Sequence, residues 1–196
     1  MNLSIASLKR TIQNANYKWF EDQPNIIGIR SRLNVPDAFN DILCIVYKEN
    51  DEEKLFTANI TTDPGITYQL KFLNPKGCAV MKRGQYLDAY KLGFHQNKPD
   101  HRALIQVGKI TVFRDNDKDG VAETEGFPEE IGYFGCNIHG ANKNVDTTKI
   151  GPWSAGCQVH SRWSAKEKMC DIVEKYKGVN NGLVTYTLVN EEMLVP

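Results

Sequence analysis

From residue 42 onward, short β-rich runs separated by turn residues leave little room for helical architecture. Ile42–Tyr47 and Leu55–Thr61 flank the charged turn Glu49-Asn50-Asp51-Glu52. Thr62-Asp63-Pro64-Gly65 is a turn signal. Tyr86–Phe94, Ala103–Val107, Lys109–Phe113, Ile131–Ile138, Gln158–His160 and Gly182–Val189 read as further strands, being rich in β-branched and aromatic residues.

Two stretches follow helical period instead. Leu8, Ile12, Ala15 and Trp19 line one face from about Ser7 to Phe20, with Ser4 or Ser7 as the cap and Asp22-Gln23-Pro24 as the stop. Ser164-Ala165-Lys166-Glu167 has the form of a capping box. It opens a helix with Met169, Ile172, Val173 and Tyr176 on one face and Gly178 at its end. Residues 25–39 mix apolar residues with Gly, Pro and Asn and read as irregular. The expectation is a mainly β domain over 41–196 with one late helix, preceded by an N-terminal helical extension over 1–40. By content the chain is α+β.

The chain has 196 residues, enough to bury a core. Hydrophobic residues at 41% and charged residues at 24% are ordinary for a globular protein. Lys plus Arg and Asp plus Glu balance at 24 each, so no general attraction to nucleic acid is expected. No apolar run is long enough for a membrane span. The stretch Met1–Arg10 does not read as a Sec signal peptide, because no positive start is followed by an apolar run. Cys44, Cys78, Cys136, Cys157 and Cys170 are odd in number and irregularly spaced, which disfavours a disulfide framework or a zinc ribbon.

Chemistry concentrates in two segments: Gly135-Cys136-Asn137-Ile138-His139-Gly140 and Trp153-Ser154-Ala155-Gly156-Cys157-Gln158-Val159-His160. A thiol attacks as thiolate, and a neighbouring imidazole can take its proton and hold the ion pair. Backbone N–H groups of a tight glycine turn can hold the oxyanion that forms. Gly156 allows that turn, and Ser154 can bond it or orient the histidine. The competing reading makes Cys157 a small buried hydrophobe and His139 a structural histidine. On residue chemistry alone the two readings are level.

Ile138-His139-Gly140 and Ser154-Ala155-Gly156-Cys157, with the cysteine 18 positions after the histidine, resemble the signature of L,D-transpeptidase (YkuD-like) catalytic domains. The resemblance covers about Thr61 to Val189, and its wording is similar to a divergent branch from phages and mobile elements. It implies a β-sandwich-like L,D-transpeptidase catalytic fold with the cysteine in a cleft. It also implies an enzyme, a cysteine acyltransferase or peptidase acting on peptidoglycan stem peptides. Cys157 would attack the carbonyl of the third stem residue and release the terminal D-alanine. An amine or water would then resolve the thioester. His139 would be the base, and Ser154 and Gly156 the turn that shapes the oxyanion site. The family usually carries Ile/Val followed by Arg or Asn after the cysteine, where this chain has Gln158-Val159-His160.

Trp153, His95, His160 and Gly140 are the expected substrate-binding residues, while His101 reads as a solvated loop histidine. Asp115, Asp117 and Asp119, with Gly120, match the first half of a calcium loop. That segment is either a structural Ca2+ clip or an Asp/Asn-rich hairpin turn without metal. No cofactor is required. Action at the bacterial cell wall would need delivery by phage lysis, a virion or a secreted effector. The N-terminal helix packs on the domain or docks a protein partner. Two other readings stand beside the enzyme: a non-catalytic module of the same fold that binds cell wall or a partner, and an unrelated cysteine peptidase.

Overall fold

The structure is a computed structural model that describes residues 3–195; Met1, Asn2 and Pro196 lie outside the described residues. Helix α1 (Ile5–Asn14) is followed by strands β1 (Asn25–Arg30), β2 (Asp41–Glu49) and β3 (Glu52–Thr61), then by the short helix α2 (Ile66–Leu70). Next come β4 (Cys78–Met81), β5 (Gly84–Phe94), β6 (Arg102–Gln106), β7 (Ile110–Asp115) and β8 (Glu129–Gly132). The chain ends with β9 (Ile138–Gly140), β10 (Gln158–His160), helix α3 (Trp163–Glu174) and β11 (Leu183–Asn190).

The protein is mainly β, as expected, but the sheets are not arranged as a sandwich. Eight strands close into a barrel in the order β1-β11-β5-β6-β9-β10-β3-β2, and β4-β7-β8 form a separate small sheet. Closure removes the unpaired edges that an open sheet would expose. Two neighbouring pairs are parallel, β1 with β11 and β9 with β10.

The main core includes Ile26, Leu43, Ile45, Tyr90, Leu104, Ile138 and Tyr186 from barrel strands. Ala79, Met81 and Val112 of the small sheet and Met169, Ile172 and Val173 of α3 join the same cluster.

Residues 25–39 are not simply irregular, because β1 lies within them and all six of its residues are buried. It pairs with β2 and β11, so a boundary at residue 40 would cut through the barrel. Its far face is covered by α1: Leu8 and Ile12 pack with Ile27, Ile29, Cys44, Val46 and Val189. Burying a leucine or isoleucine contributes about 1.5–3 kcal/mol each. Gly28 breaks the apolar run for a steric reason, since a Cβ there would fall 1.9 Å from the Tyr186 hydroxyl.

Helix α1 starts at Ile5, two residues before the expected position, with Ser4, one of the two expected caps, accepting the Ser7 N–H at 3.1 Å. It stops at Asn14, and Asn16 follows in the left-handed conformation. Ser7 Oγ donates to the Val195 carbonyl at 2.5 Å, and the Val195 N–H donates to Thr11 Oγ1 at 3.0 Å. The helix thus pins the C-terminal segment, and its apolar face is spent on the barrel.

Two further expectations differ. The run Ile131–Ile138 splits into β8 and β9, which belong to different sheets. Helix α3 has Arg162 as its N-cap with no side-chain cap, so the capping box is not formed. Among the described residues no helix is long and apolar enough to cross a membrane.

Candidate active site

Strands β9 and β10 bring the two segments together. Gln158 pairs with Ile138, Val159 with His139 and His160 with Gly140. Side chains alternate along strands, so His139 and Val159 point to one face and Ile138 and Gln158 to the other. Ile138 belongs to the barrel core, and Gln158 Oε1 accepts from the buried Tyr186 hydroxyl at 3.0 Å. Cys157 stands just before β10, two residues from the Val159 that pairs with His139.

The turn before Cys157 is built from its own polar atoms. Ser154 is fully buried; its Oγ donates to the Cys157 carbonyl at 2.8 Å and accepts from the Gly156 N–H at 3.2 Å. Ser154 therefore shapes the turn and does not touch His139. The Gly156 N–H is already engaged and is not a free oxyanion donor. Gly156 itself is required twice over. Its φ is +132°, and a Cβ would lie 2.7 Å from the Ala79 carbonyl oxygen and 3.2 Å from Cys136 Sγ.

Cys157 is half-exposed, whereas the other four cysteines are buried. Its thiol donates to the Gly135 carbonyl at 3.4 Å. Gly135 is held in place by Gln106, whose Oε1 accepts from the N–H groups of Phe134 and Cys136, each at 3.0 Å. Burial pushes the thiol up to about 11, against a smaller downward pull from the Asn137 backbone N–H. The resting group is a neutral thiol, where the sequence suggested an ion pair with imidazole.

His139 is 2% exposed. Its Nδ1 lies 2.9 Å from the Gly140 carbonyl, which can only accept, so Nδ1 carries the proton. Nε2 is buried with no partner and holds a free lone pair. Burial, and after it the neighbouring His95, His101 and His160, keep the ring well below the usual histidine range and hence neutral. The thiol and the imidazole are not hydrogen bonded to each other. Gly140 serves packing: a Cβ there would lie 3.0 Å from the Trp163 ring and 3.4 Å from Lys166. The glycine of the His-Gly pair thus lets α3 press against the base.

The remaining histidines divide. His95 is 9% exposed and stacks on His139, with ring centroids 3.9 Å apart and planes 22° apart. It faces the base and has little surface left for a substrate. His101 is not a solvated loop residue. It is equally buried, sits 5.4 Å from His139 edge-on, and packs 4.6 Å from the Trp163 ring. Burial first, then His95, Lys166 and Lys98, lower it to about 4, with Asp100 opposing.

His160 is fully buried, pairs through Nε2 with Met169 Sδ at 3.4 Å, and is lowered to about 3 by burial and Lys166. It faces inward with Gln158, which removes it from the substrate-binding set. Trp153 remains half-exposed on a short 3-10 turn that leads into Ser154.

Sequence reasoning assigned no role to Asn137 and set His101 aside as a loop residue. The hint for His101 lay in the short, turn-prone spacing from His95. Gln96 and Asn97 both adopt positive φ, and the His95 N–H reaches the His101 carbonyl at 2.8 Å.

A cavity of about 350 Å³ opens beside the turn, lined in part by Ala155, Ala79, Tyr68, Tyr133, Phe134 and Arg114. A larger hollow of about 490 Å³ lies near Phe56, Ser161 and Lys168, and neither hollow has Cys157 or His139 in its wall.

In the Asp-rich loop the acidic groups that converge are Asp115, Asp117 and Glu123, with ligand atoms within 4.8 Å of one another. Asp119 instead caps the Val121 N–H at 2.7 Å. Burial and the neighbouring Asp115 raise Glu123 to about 7, so this trio relieves its repulsion by retaining a proton. The loop joins β7 to β8 as a hairpin, which needs no metal.

Compared with protein-family models, with curated proteins and with solved structures, the chain matches none.

Proposed function

We propose that this chain is a cysteine-dependent peptidoglycan enzyme of the L,D-transpeptidase (YkuD-like) kind, acting on stem peptides at the bacterial cell wall. The observation that carries the reading is the state of His139. Its proton is fixed on Nδ1 by the Gly140 carbonyl, and its Nε2 lone pair is free on β9, the strand paired with the one that Cys157 leads into. A buried, neutral, correctly tautomerised imidazole on the strand next to the one half-exposed thiol's segment is the kind of group general-base activation needs.

In this reading the resting thiol turns from Gly135 toward His139, which takes its proton as sulfur attacks the carbonyl of the third stem residue. The C–N bond to the terminal D-alanine breaks, and His139 returns the proton to the departing amine. An amine or water then attacks the thioester and releases Cys157. In this reading a stem peptide lies along the cavity that Ala155, two residues before the thiol, helps to line. The barrel would then be a divergent form of that family's catalytic fold. Delivery by phage lysis, a virion or a secreted effector belongs to the same proposal, and no cofactor is required.

A second reading is a non-catalytic module that binds cell wall or a partner. It is favoured by the neutral thiol bonded to Gly135 and by the absence of a thiol–imidazole hydrogen bond. Incubation with purified muropeptides and mass spectrometry separates the two. Loss of D-alanine, new crosslinks or cleaved crosslinks in wild type but not in Cys157→Ala supports the enzyme. Identical unchanged muropeptides with both proteins support the module.

A further inference from the structure

Three of the four histidines meet in one cluster, and the hydrogen bonds around them fix which nitrogen does what. The Asn137 amide oxygen accepts the Gln106 backbone N–H at 2.9 Å. A backbone N–H can only donate, so the orientation of the amide is settled and its NH2 group points away from Gln106. That NH2 lies 3.1 Å from His95 Nδ1, which must accept and therefore carries no proton. His95 is thus a neutral ring with its proton on Nε2, tethered through Asn137 to β6. The plane of this tethered ring lies 22° from that of His139, with centroids 3.9 Å apart. Asn137 is also two residues before His139 on the same face, so the tether and the base share one short segment.

The hydrogen bond that sets the plane of the His139 ring is the 2.9 Å contact of Nδ1 with the Gly140 carbonyl. One hydrogen bond allows the ring to tilt, and the free Nε2 would swing with it. A flat, neutral neighbour in contact stops that motion without adding charge. His101 adds a second wall edge-on, itself backed by Trp163, over which the Lys166 ammonium sits at 3.6 Å.

We infer that His95 is a positioning residue for His139, whose flat stacked ring holds the plane of the base so that Nε2 keeps one direction. This deepens the proposed function and rests on it for the catalytic readout, because the sequence expectation placed His95 in contact with substrate instead. Misplacing a catalytic group by about 1 Å can cost on the order of 10²-fold in rate.

The test compares full-length wild type with His95→Phe, which keeps a flat ring, and His95→Leu and His95→Gln, which do not. Turnover of a tetrapeptide muropeptide is measured together with the His139 Nδ1–H resonance in nitrogen-15 NMR. The expected result is a kcat loss of about 10²-fold in the Leu and Gln variants with KM unchanged, and near-wild-type kcat in the Phe variant. The His139 Nδ1–H resonance stays protected in wild type and His95→Phe, and is lost to exchange in the other two.

The inference is overturned if the folded Leu and Gln variants keep full kcat, if the loss falls on KM, or if Phe is as impaired as Leu. Should His95→Leu not fold, His95→Gln carries the comparison, since its amide can still meet Asn137. Wild type that leaves muropeptides unchanged would refute the proposed function alone. The NMR comparison would then still decide whether His95 holds the ring of His139.

Discussion

Replacing Gly156 by alanine tests the physical reason for the glycine before the nucleophile. Two costs are visible. The backbone sits at φ +132°, a conformation side chains rarely adopt, and holding it costs about 1–3 kcal/mol. The new Cβ would also stand 2.7 Å from the Ala79 carbonyl and 3.0 Å from the Ala79 Cβ, where neither backbone nor core can give easily. Overpacking of this kind costs about 1–3 kcal/mol. The sum, roughly 2–6 kcal/mol, corresponds to a fall in Tm of roughly 5–20 °C for a chain of this length. Gly126→Ala is the control, because Gly126 has φ +84° but nothing within 4 Å of a built Cβ. It carries the backbone cost without the contact. Thermal unfolding by circular dichroism of the three proteins gives both terms. The reasoning is refuted if Gly156→Ala melts within a degree of Gly126→Ala, since β4 would then not press on the turn.

Three further outcomes follow from the same geometry. Cys157 should be the first cysteine alkylated by iodoacetamide, being half-exposed among buried thiols, and its rate should climb with pH toward about 11; a plateau near neutrality would show a preformed thiolate. His139 and His160 are buried with folded values below the ordinary 6.5, so protons bind the unfolded chain first and stability falls as pH drops below about 6.5. Each contributes a slope of up to about 1.4 kcal/mol per pH unit. Asp41, raised to about 6 by burial and the neighbouring Asp63, and Glu123, raised to about 7 by burial and Asp115, act in the opposite sense and trim that slope. Urea midpoints from pH 7.5 to 4.5 measure the sum, and a rising midpoint toward acid would contradict this account. Finally, deleting residues 1–40 removes β1 and opens the barrel, so the fragment 41–196 should show no cooperative unfolding; a folded fragment would restore the boundary that the sequence suggested.

What could be read from the sequence was what local chemistry determines. Strand β10 coincides with Gln158–His160, because a polar glycine turn and the Ser-Arg-Trp-Ser segment bracket it. The cores of β2, β3 and β5 follow from β-branched and aromatic runs. The His139 and Cys157 segments stood out by residue type, and the structure places them on neighbouring strands. Strand β1 escaped because it is buried on both faces, and Gly28, needed to clear Tyr186, looks like a breaker. Barrel closure depends on the parallel pairing of β1 with β11, between residues about 160 apart in sequence, which no local pattern records. His160 was misread for a related reason. Its place beside the motif suggested substrate contact, while strand alternation turns it inward to Met169. His95 and His101 converge only because two positive-φ residues fold the segment between them.

The most direct test of the central claim is intact-mass spectrometry of the protein mixed with a tetrapeptide stem and quenched in acid. The account predicts an adduct on Cys157 equal to the stem peptide less its terminal D-alanine, absent from Cys157→Ala and strongly reduced in His139→Ala. No adduct on wild type, or an equal adduct in His139→Ala, would contradict it.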